Sequence, residues 1–136
     1  MLERNLVDTC KLSGLRVLIV EDMWLVADDI AETLAELGIE VVGPAGHLDE
    51  GLRHAQSAPL DGALLDVNLG GDLTSVPIAA ALRDRGVPFL FLTGYDSASA
   101  LLGEFANRPK VSKPVEPRTL VRAMTRVFRE EQSGGS

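Results

Sequence analysis

Several polar residues in this chain each close a run of apolar ones. Glu21 and Asp22 follow Val17-Leu18-Ile19-Val20, Asp66 follows Ala63-Leu64-Leu65, Thr93 follows Phe89-Leu90-Phe91-Leu92, and Lys113 comes just after Val111. A short aliphatic run that stops at an acid reads as a strand buried on both faces, with polar chemistry at its carboxyl end. Carboxylates gathered in one pocket repel one another and raise one another's pKa values unless a cation intervenes. Such oxygen donors suit a hard divalent ion, and Mg²⁺ is the natural candidate because it needs few protein ligands and keeps several waters. Lys113 adds a positive charge and Thr93 a hydroxyl donor. A carboxylate flanked by a metal, an ammonium and a hydroxyl is arranged to attack a phosphoryl group, with Asp66 as nucleophile. Taken singly, each residue has a plainer explanation: an acid pair after a strand favours the dipole of the next helix, and a Thr at a strand end or a Lys before Pro is ordinarily structural. What sets them apart is order: acid pair, single Asp, Thr, Lys, each ending a successive apolar strand with the second strand omitted.

The elements that must position these residues can be traced along the chain. Arg16 to Val20 forms the first strand, and Leu25 to Leu37 shows helical spacing (Leu25, Ile30, Leu34, Leu37) ended by Gly38. Ile39 to Val42 is a second strand closed by Gly43-Pro44, and Leu48 to Ala58 a short amphipathic helix before Pro59. The third strand runs from Gly62 into Asp66, followed by a flexible Leu69-Gly70-Gly71 turn and a helix from Val76 to Arg85 with Pro77 in its first turn. Pro88 to Leu92 is the fourth strand, Ser97 to Phe105 a weak helix, and a brief fifth strand around Val111 ends at Lys113-Pro114. Glu116 to Glu130 is a strong amphipathic helix with Leu120, Val121, Met124, Val127 and Phe128 as its apolar stripe. Five strands alternating with five helices predict an α/β fold, a doubly wound parallel sheet covered on both faces. Ligands of such sheets bind beyond the carboxyl ends of the strands, where the polar residues stand.

Composition narrows the function classes. The chain has 136 residues, is 46% hydrophobic and 24% charged, and carries a net charge of −7. That is one globular domain, and its acidity argues against non-specific binding to nucleic acid or an anionic membrane. The charge is uneven, because seven of the thirteen bases fall in residues 108–136. The single cysteine, Cys10, cannot form an internal disulfide, and no run approaches the ~18 apolar residues of a membrane span. These features predict a soluble, cytoplasmic domain.

The order of motifs resembles the receiver domain of two-component response regulators. The motifs are VLIVED (17–22), LLDVNLGG (64–71), FLFLTGY (89–95) and SKP (112–114), and the resemblance covers about residues 15–130. It leaves an N-terminal extension, 1–14, and a tail, 131–136, expected to be disordered. The resemblance implies a flavodoxin-like sheet of strand order 2-1-3-4-5. It implies that Asp66 accepts phosphate from a sensor histidine kinase, and that Glu21, Asp22, Asp66 and the backbone carbonyl of Asn68 hold Mg²⁺. Thr93 and Lys113 would contact the phosphoryl group. With no output segment on the chain, the expected partner is a downstream protein or phosphotransferase.

One departure from the family concerns Lys110, which occupies the position where most receivers carry a switch Tyr or Phe. The run Phe91-Leu92-Thr93-Gly94-Tyr95 resembles the subclass named for a Phe-Ala-Thr-Gly-aromatic motif, and LDVNLGG fits it too. That resemblance implies a kinase of the HWE/HisKA2 type, and makes Gly94, Tyr95 and Lys110 the candidate switch and partner surface. Trp24, two residues after Asp22, stands close enough to report on metal or phosphate. Arg118, Arg122, Arg126 and Arg129 form a basic stripe on the last helix. Two rival readings stand beside it, a receiver-like interaction module that takes no phosphate and a flavodoxin-like cofactor domain; a third, a phosphatase of the haloacid-dehalogenase type, is excluded by sequence order. The acid pair comes first in the chain rather than last, against the phosphatase, and the carboxylates would repel a flavin phosphate.

Overall fold

The computed structural model describes residues 11–71, 73–94 and 102–130. The chain runs β1 (Arg16–Val20), α1 (Trp24–Glu36), β2 (Glu40–Ala45), α2 (Leu48–Ser57), β3 (Gly62–Asp66), α3 (Val76–Asp84), β4 (Phe89–Thr93), a 3₁₀ turn (Gly103–Phe105), β5 (Lys110–Ser112) and α4 (Pro117–Met124), which continues as a π-helix (Thr125–Glu130). The strands form one parallel sheet of order β2-β1-β3-β4-β5, the expected flavodoxin-like α/β topology. None of the described helices is long and apolar enough to cross a membrane.

Alternation along the strands builds two apolar layers, since successive side chains point to opposite faces. Leu18, Val20, Leu65, Phe89 and Phe91 face α2 and α3, where Ala55, Ile78 and Leu82 meet them. Val17, Ile19, Leu64, Leu90 and Leu92 face α1 and α4, meeting Ile30, Leu34, Leu120, Met124 and Phe128. Because β1, β3 and β4 lie inside the sheet, nearly every residue in them is buried, which is why they read as unbroken apolar runs. On the first of these layers Phe89 packs edge to face against both Phe91 and Phe105, with the Arg108 guanidinium 5.0 Å from the Phe89 ring centre.

The structure departs from the sequence expectation in four places. Strand β2 runs through Gly43-Pro44 to Ala45 instead of stopping before them. It is an edge strand, and an edge tolerates a proline that an inner strand would not. Leu25 is exposed, not part of the buried stripe of α1, because it lies five residues before Ile30, in the first turn of the helix, and falls beside the stripe instead of within it. The last helix is not one regular α-helix: it widens after Met124, where the Thr125 hydroxyl donates to the Val121 carbonyl at 2.8 Å and competes with the backbone ladder. The Gly70-Gly71 turn is a hydrogen-bonded hairpin, described below. Of the expected helix 97–105, residues 97–101 lie outside the described residues, as does Tyr95; the described part is a helical Leu102 followed by the 3₁₀ turn, and the other described helices number four.

Packing also extends N-terminal to β1. Leu12 is fully buried in the α1/α4 layer, Gly14 N–H donates to Gly38 O at 2.8 Å, and Arg129 Nε donates to Lys11 O at 2.7 Å. Residues 1–10, with Cys10, and the tail 131–136 lie outside the described residues.

Candidate functional site

The carboxyl ends of β1, β3, β4 and β5 meet on one rim. Register places them there: Val20 pairs with Leu65, Asp66 with Leu92, and Thr93 with Ser112. Each candidate therefore leaves the sheet one step beyond, or level with, its neighbour. Glu21 and Asp66 are nearly inaccessible, 1% and 5% exposed, whereas Asp22 is exposed. One carboxylate oxygen from each of Glu21, Asp22 and Asp66 lies within 4.8 Å of the others.

Lys113 reaches into this cluster from the end of β5. Its Nζ lies 2.7 Å from Glu21 Oε1 and 3.3 Å from Asp66 Oδ1. The backbone N–H of Lys113 donates to Thr93 O at 2.8 Å, so β4 holds the lysine at its base. The other oxygen of Glu21, Oε2, accepts the Met23 N–H at 3.2 Å, which fixes the glutamate in the turn leading to α1. Thr93 is buried at the end of β4, Gly94 is exposed just beyond it, and Asn68 is exposed two residues past Asp66.

The loop after Asp66 is ordered by its own hydrogen bonds. Asn68 and Thr74 form an antiparallel bridge, Leu69 N–H donates to Leu73 O at 3.0 Å, and Ser75 N–H donates to Val67 O at 3.1 Å. Gly70 and Gly71 make the reversal with φ of +100° and +57°, a region that L side chains rarely adopt. The hairpin borders the carboxylates: a β-carbon on Gly70 would stand 3.9 Å from Asp22 Oδ2.

Charge and burial set the protonation of the cluster. Asp66 is pushed up to about 7, first by burial, then by its hydrogen bond to Glu21 and the charge of that residue, with Lys113 opposing. Burial pulls Lys113 down, but its hydrogen bond to Glu21 and the charges of Asp66 and Glu21 outweigh this and hold it above the ordinary lysine value. The cluster thus holds more negative charge than one ammonium offsets. Three hard oxygen donors under that stress fit a small divalent cation, which takes few protein ligands.

Lys110 lies apart from the cluster. It pairs in register with Phe91, and its Nζ donates to the carbonyls of Ala106 and Arg108, the latter at 3.0 Å, so it ties down the turn before β5. Sequence reasoning singled out Trp24 but not the apolar rim to which it belongs. Met23, Trp24 and Leu25 at the start of α1, and Leu73 in the hairpin, are all exposed, Trp24 by 74%. The signal was present, as an apolar triplet directly after the acid pair.

Neither a family model nor a curated relative matches the chain by sequence. Solved structures do match. SdrG from Sphingomonas melonis is 34% identical with a TM-score of 0.72, over 85% of this chain and 95% of that one. The signal receiver domain of a modulated diguanylate cyclase from Desulfovibrio desulfuricans is 30% identical with a TM-score of 0.77, over 88% of this chain and 98% of that one. A CheY-like response regulator receiver domain protein from Methanospirillum hungatei is 28% identical with a TM-score of 0.77, over 90% and 99%.

Proposed function

Since the chain belongs to the receiver-domain family of response regulators, we propose that Asp66 accepts a phosphoryl group from a sensor histidine kinase and that a partner protein reads the result. The observation that carries this reading is the convergence of Glu21, Asp22 and Asp66 with the Lys113 ammonium on one rim of the sheet. A carboxylate oxygen of Asp66 attacks phosphorus, the P–O bond forms as the donor's P–N bond breaks, and the electron pair leaves on the imidazole nitrogen, which takes up a proton. Lys113 holds Asp66 in place and offers its ammonium to the phosphoryl oxygens, and Thr93 offers its hydroxyl. Bound Mg²⁺, held by Glu21, Asp22, Asp66 and the backbone of Asn68, would supply the charge that offsets the carboxylates and the transferring oxygens.

Two finer parts of the reading rest on sequence motifs. FLFLTGY and LDVNLGG support the Phe-Ala-Thr-Gly-aromatic subclass and, with it, a kinase of the HWE/HisKA2 type in the cytoplasm. Gly94, Tyr95 and Lys110 are the proposed switch surface, with Lys110 acting through the turn it tethers.

The test is the intact mass of the protein after incubation with acetyl phosphate and Mg²⁺, beside an Asp66→Ala variant. Gain of one phosphoryl group, lost in the variant and with EDTA, is the expected result. If acetyl phosphate fails, phosphorylated histidine kinases of the HWE/HisKA2 type are tried as donors. Failure with both would leave a receiver-fold interaction module instead.

A further inference from the structure

The outward faces of α1 and the last helix carry opposite charges at the same spacing. Asp28, Glu32 and Glu36 recur at every fourth residue of α1, and Arg118, Arg122 and Arg126 at every fourth residue of α4 and its π-helical continuation; all six are exposed. Residues four apart lie one above the other on a helix, so each set forms a row. Both helices cover the same side of the sheet, since Ile30 and Leu34 share one apolar layer with Leu120 and Met124. An acidic row and a basic row therefore run side by side on one surface. Where α1 meets the turn between β5 and α4, at the end nearer the carboxylates, lies an open groove of about 330 Å³ lined by Leu25, Val26, Asp29, Ile30, Lys113, Pro114 and Val115. Among the described residues no ion pair engages Asp28, Glu32, Glu36, Arg118 or Arg122.

We propose that this face is where two copies of the chain meet, with α1 of each lying over the last helix of the other. The crossovers of a parallel sheet make α1 and α4 run in the same sense. A two-fold axis running midway between them and parallel to both sets the acidic row on the partner's basic row and, in the same operation, the basic row on the partner's acidic row. That contact is isologous and closes at two. A two-fold axis at right angles would stack like on like. Elsewhere two copies repel, each bearing a net charge of −7, so the concentration of bases near the C-terminus selects this face. The groove adds a short apolar patch at one end of the contact, from Leu25, Val26, Ile30, Pro114 and Val115, with Leu25 65% exposed.

This inference does not rest on the phosphoacceptor reading, and the mass measurement above is independent of it. The test is sedimentation velocity on the full 136-residue chain across a concentration series. Dimer is expected to form at low salt and to weaken as salt rises from roughly 0.1 M to 1 M, which shortens the screening length from about 10 Å to about 3 Å. Glu32→Arg and Arg122→Glu each place like charges across the axis twice per dimer, and each is expected to weaken association about tenfold or more. The double variant E32R/R122E is expected to dimerise again, since the contact re-forms with its signs exchanged. Both positions are exposed, and circular dichroism verifies that each variant folds. A chain monomeric at every concentration, a dimer indifferent to both single substitutions, or a double variant that does not recover would each overturn the proposal.

Discussion

Lys113 Nζ stands closer to Glu21, at 2.7 Å, than to Asp66, at 3.3 Å. The lysine is thus first the counter-ion of a glutamate with no exposed side chain, and second the neighbour of the candidate nucleophile. Replacing Lys113 with Met leaves a buried carboxylate without its partner. Breaking a buried pair costs about 3–5 kcal/mol, and the partial exposure of Lys113 lowers the expectation to about 2 kcal/mol. Chemical denaturation of the metal-free variant measures this loss. Mg²⁺ should recover more stability in Lys113→Met than in the wild type, because a cation there takes over the role of the ammonium. Equal recovery in both proteins would count against the carboxylates as the metal site.

Asp66 makes the metal-free protein less stable as pH rises. Its pKa is raised from 3.8 to about 7 by burial and by Glu21, so across that window the folded state holds a proton that the unfolded state has released. The contribution of Asp66 to stability is complete below the unfolded value and is lost as pH rises through the folded one. In EDTA, the melting temperature of the wild type should fall relative to that of Asp66→Asn between about pH 4 and pH 7, then run parallel to it. Melts of the two proteins across this range, in matched buffers, check the sign and the window. A wild type that gains on the variant as pH rises would contradict it.

How much of this was legible in the chain depends on whether a feature is local. The strand ends were legible because Glu21, Asp66 and Thr93 are each the first polar group after a run buried on both faces. The order of those strands in the sheet came from the resemblance to receivers, not from periodicity. Leu25 follows the apolar pattern of α1 in type but not in angle, and Pro44 reads as a stop because nothing in the sequence marks β2 as an edge. The tether made by Lys110 could not be read at all. It depends on the carbonyls of Ala106 and Arg108 turning inward in an irregular segment, which no periodicity encodes.

Gly62 and Gly51 should respond differently to the same substitution. A β-carbon at Gly62 would lie 2.8 Å from three atoms of the Phe128 ring, in the layer under the last helix. Gly62→Ala must push a buried ring aside, and overpacking of this kind costs about 1–3 kcal/mol. At Gly51, inside α2, the new carbon would stand 2.7 Å from Ile78 Cδ1, the end of a buried side chain, and 3.2 Å from Val20 Cγ2. The strain there is offset in part by the helix preference for Ala over Gly, about 1 kcal/mol, so Gly51→Ala should cost less than Gly62→Ala. Urea denaturation of both variants checks the contrast. Equal losses would mean that Phe128 yields as readily as Ile78.

Trp24 offers a direct reading of the metal site. It is the chain's single tryptophan, it is 74% exposed, and it begins the helix that follows Asp22. A cation drawn to the carboxylates changes the field at the start of α1, where Glu21 also accepts the Met23 N–H. The fluorescence of the wild type should therefore change saturably with Mg²⁺. An Asp22→Asn/Asp66→Asn variant removes two of the three carboxylates but leaves Trp24 and the fold of α1 in place, and its emission should not change over the same range. Monovalent salt at matched ionic strength separates binding from screening. A saturable response that persists in the double variant would place the cation elsewhere on this acidic chain, and the pocket formed by Glu21, Asp22 and Asp66 would lose its claim to it.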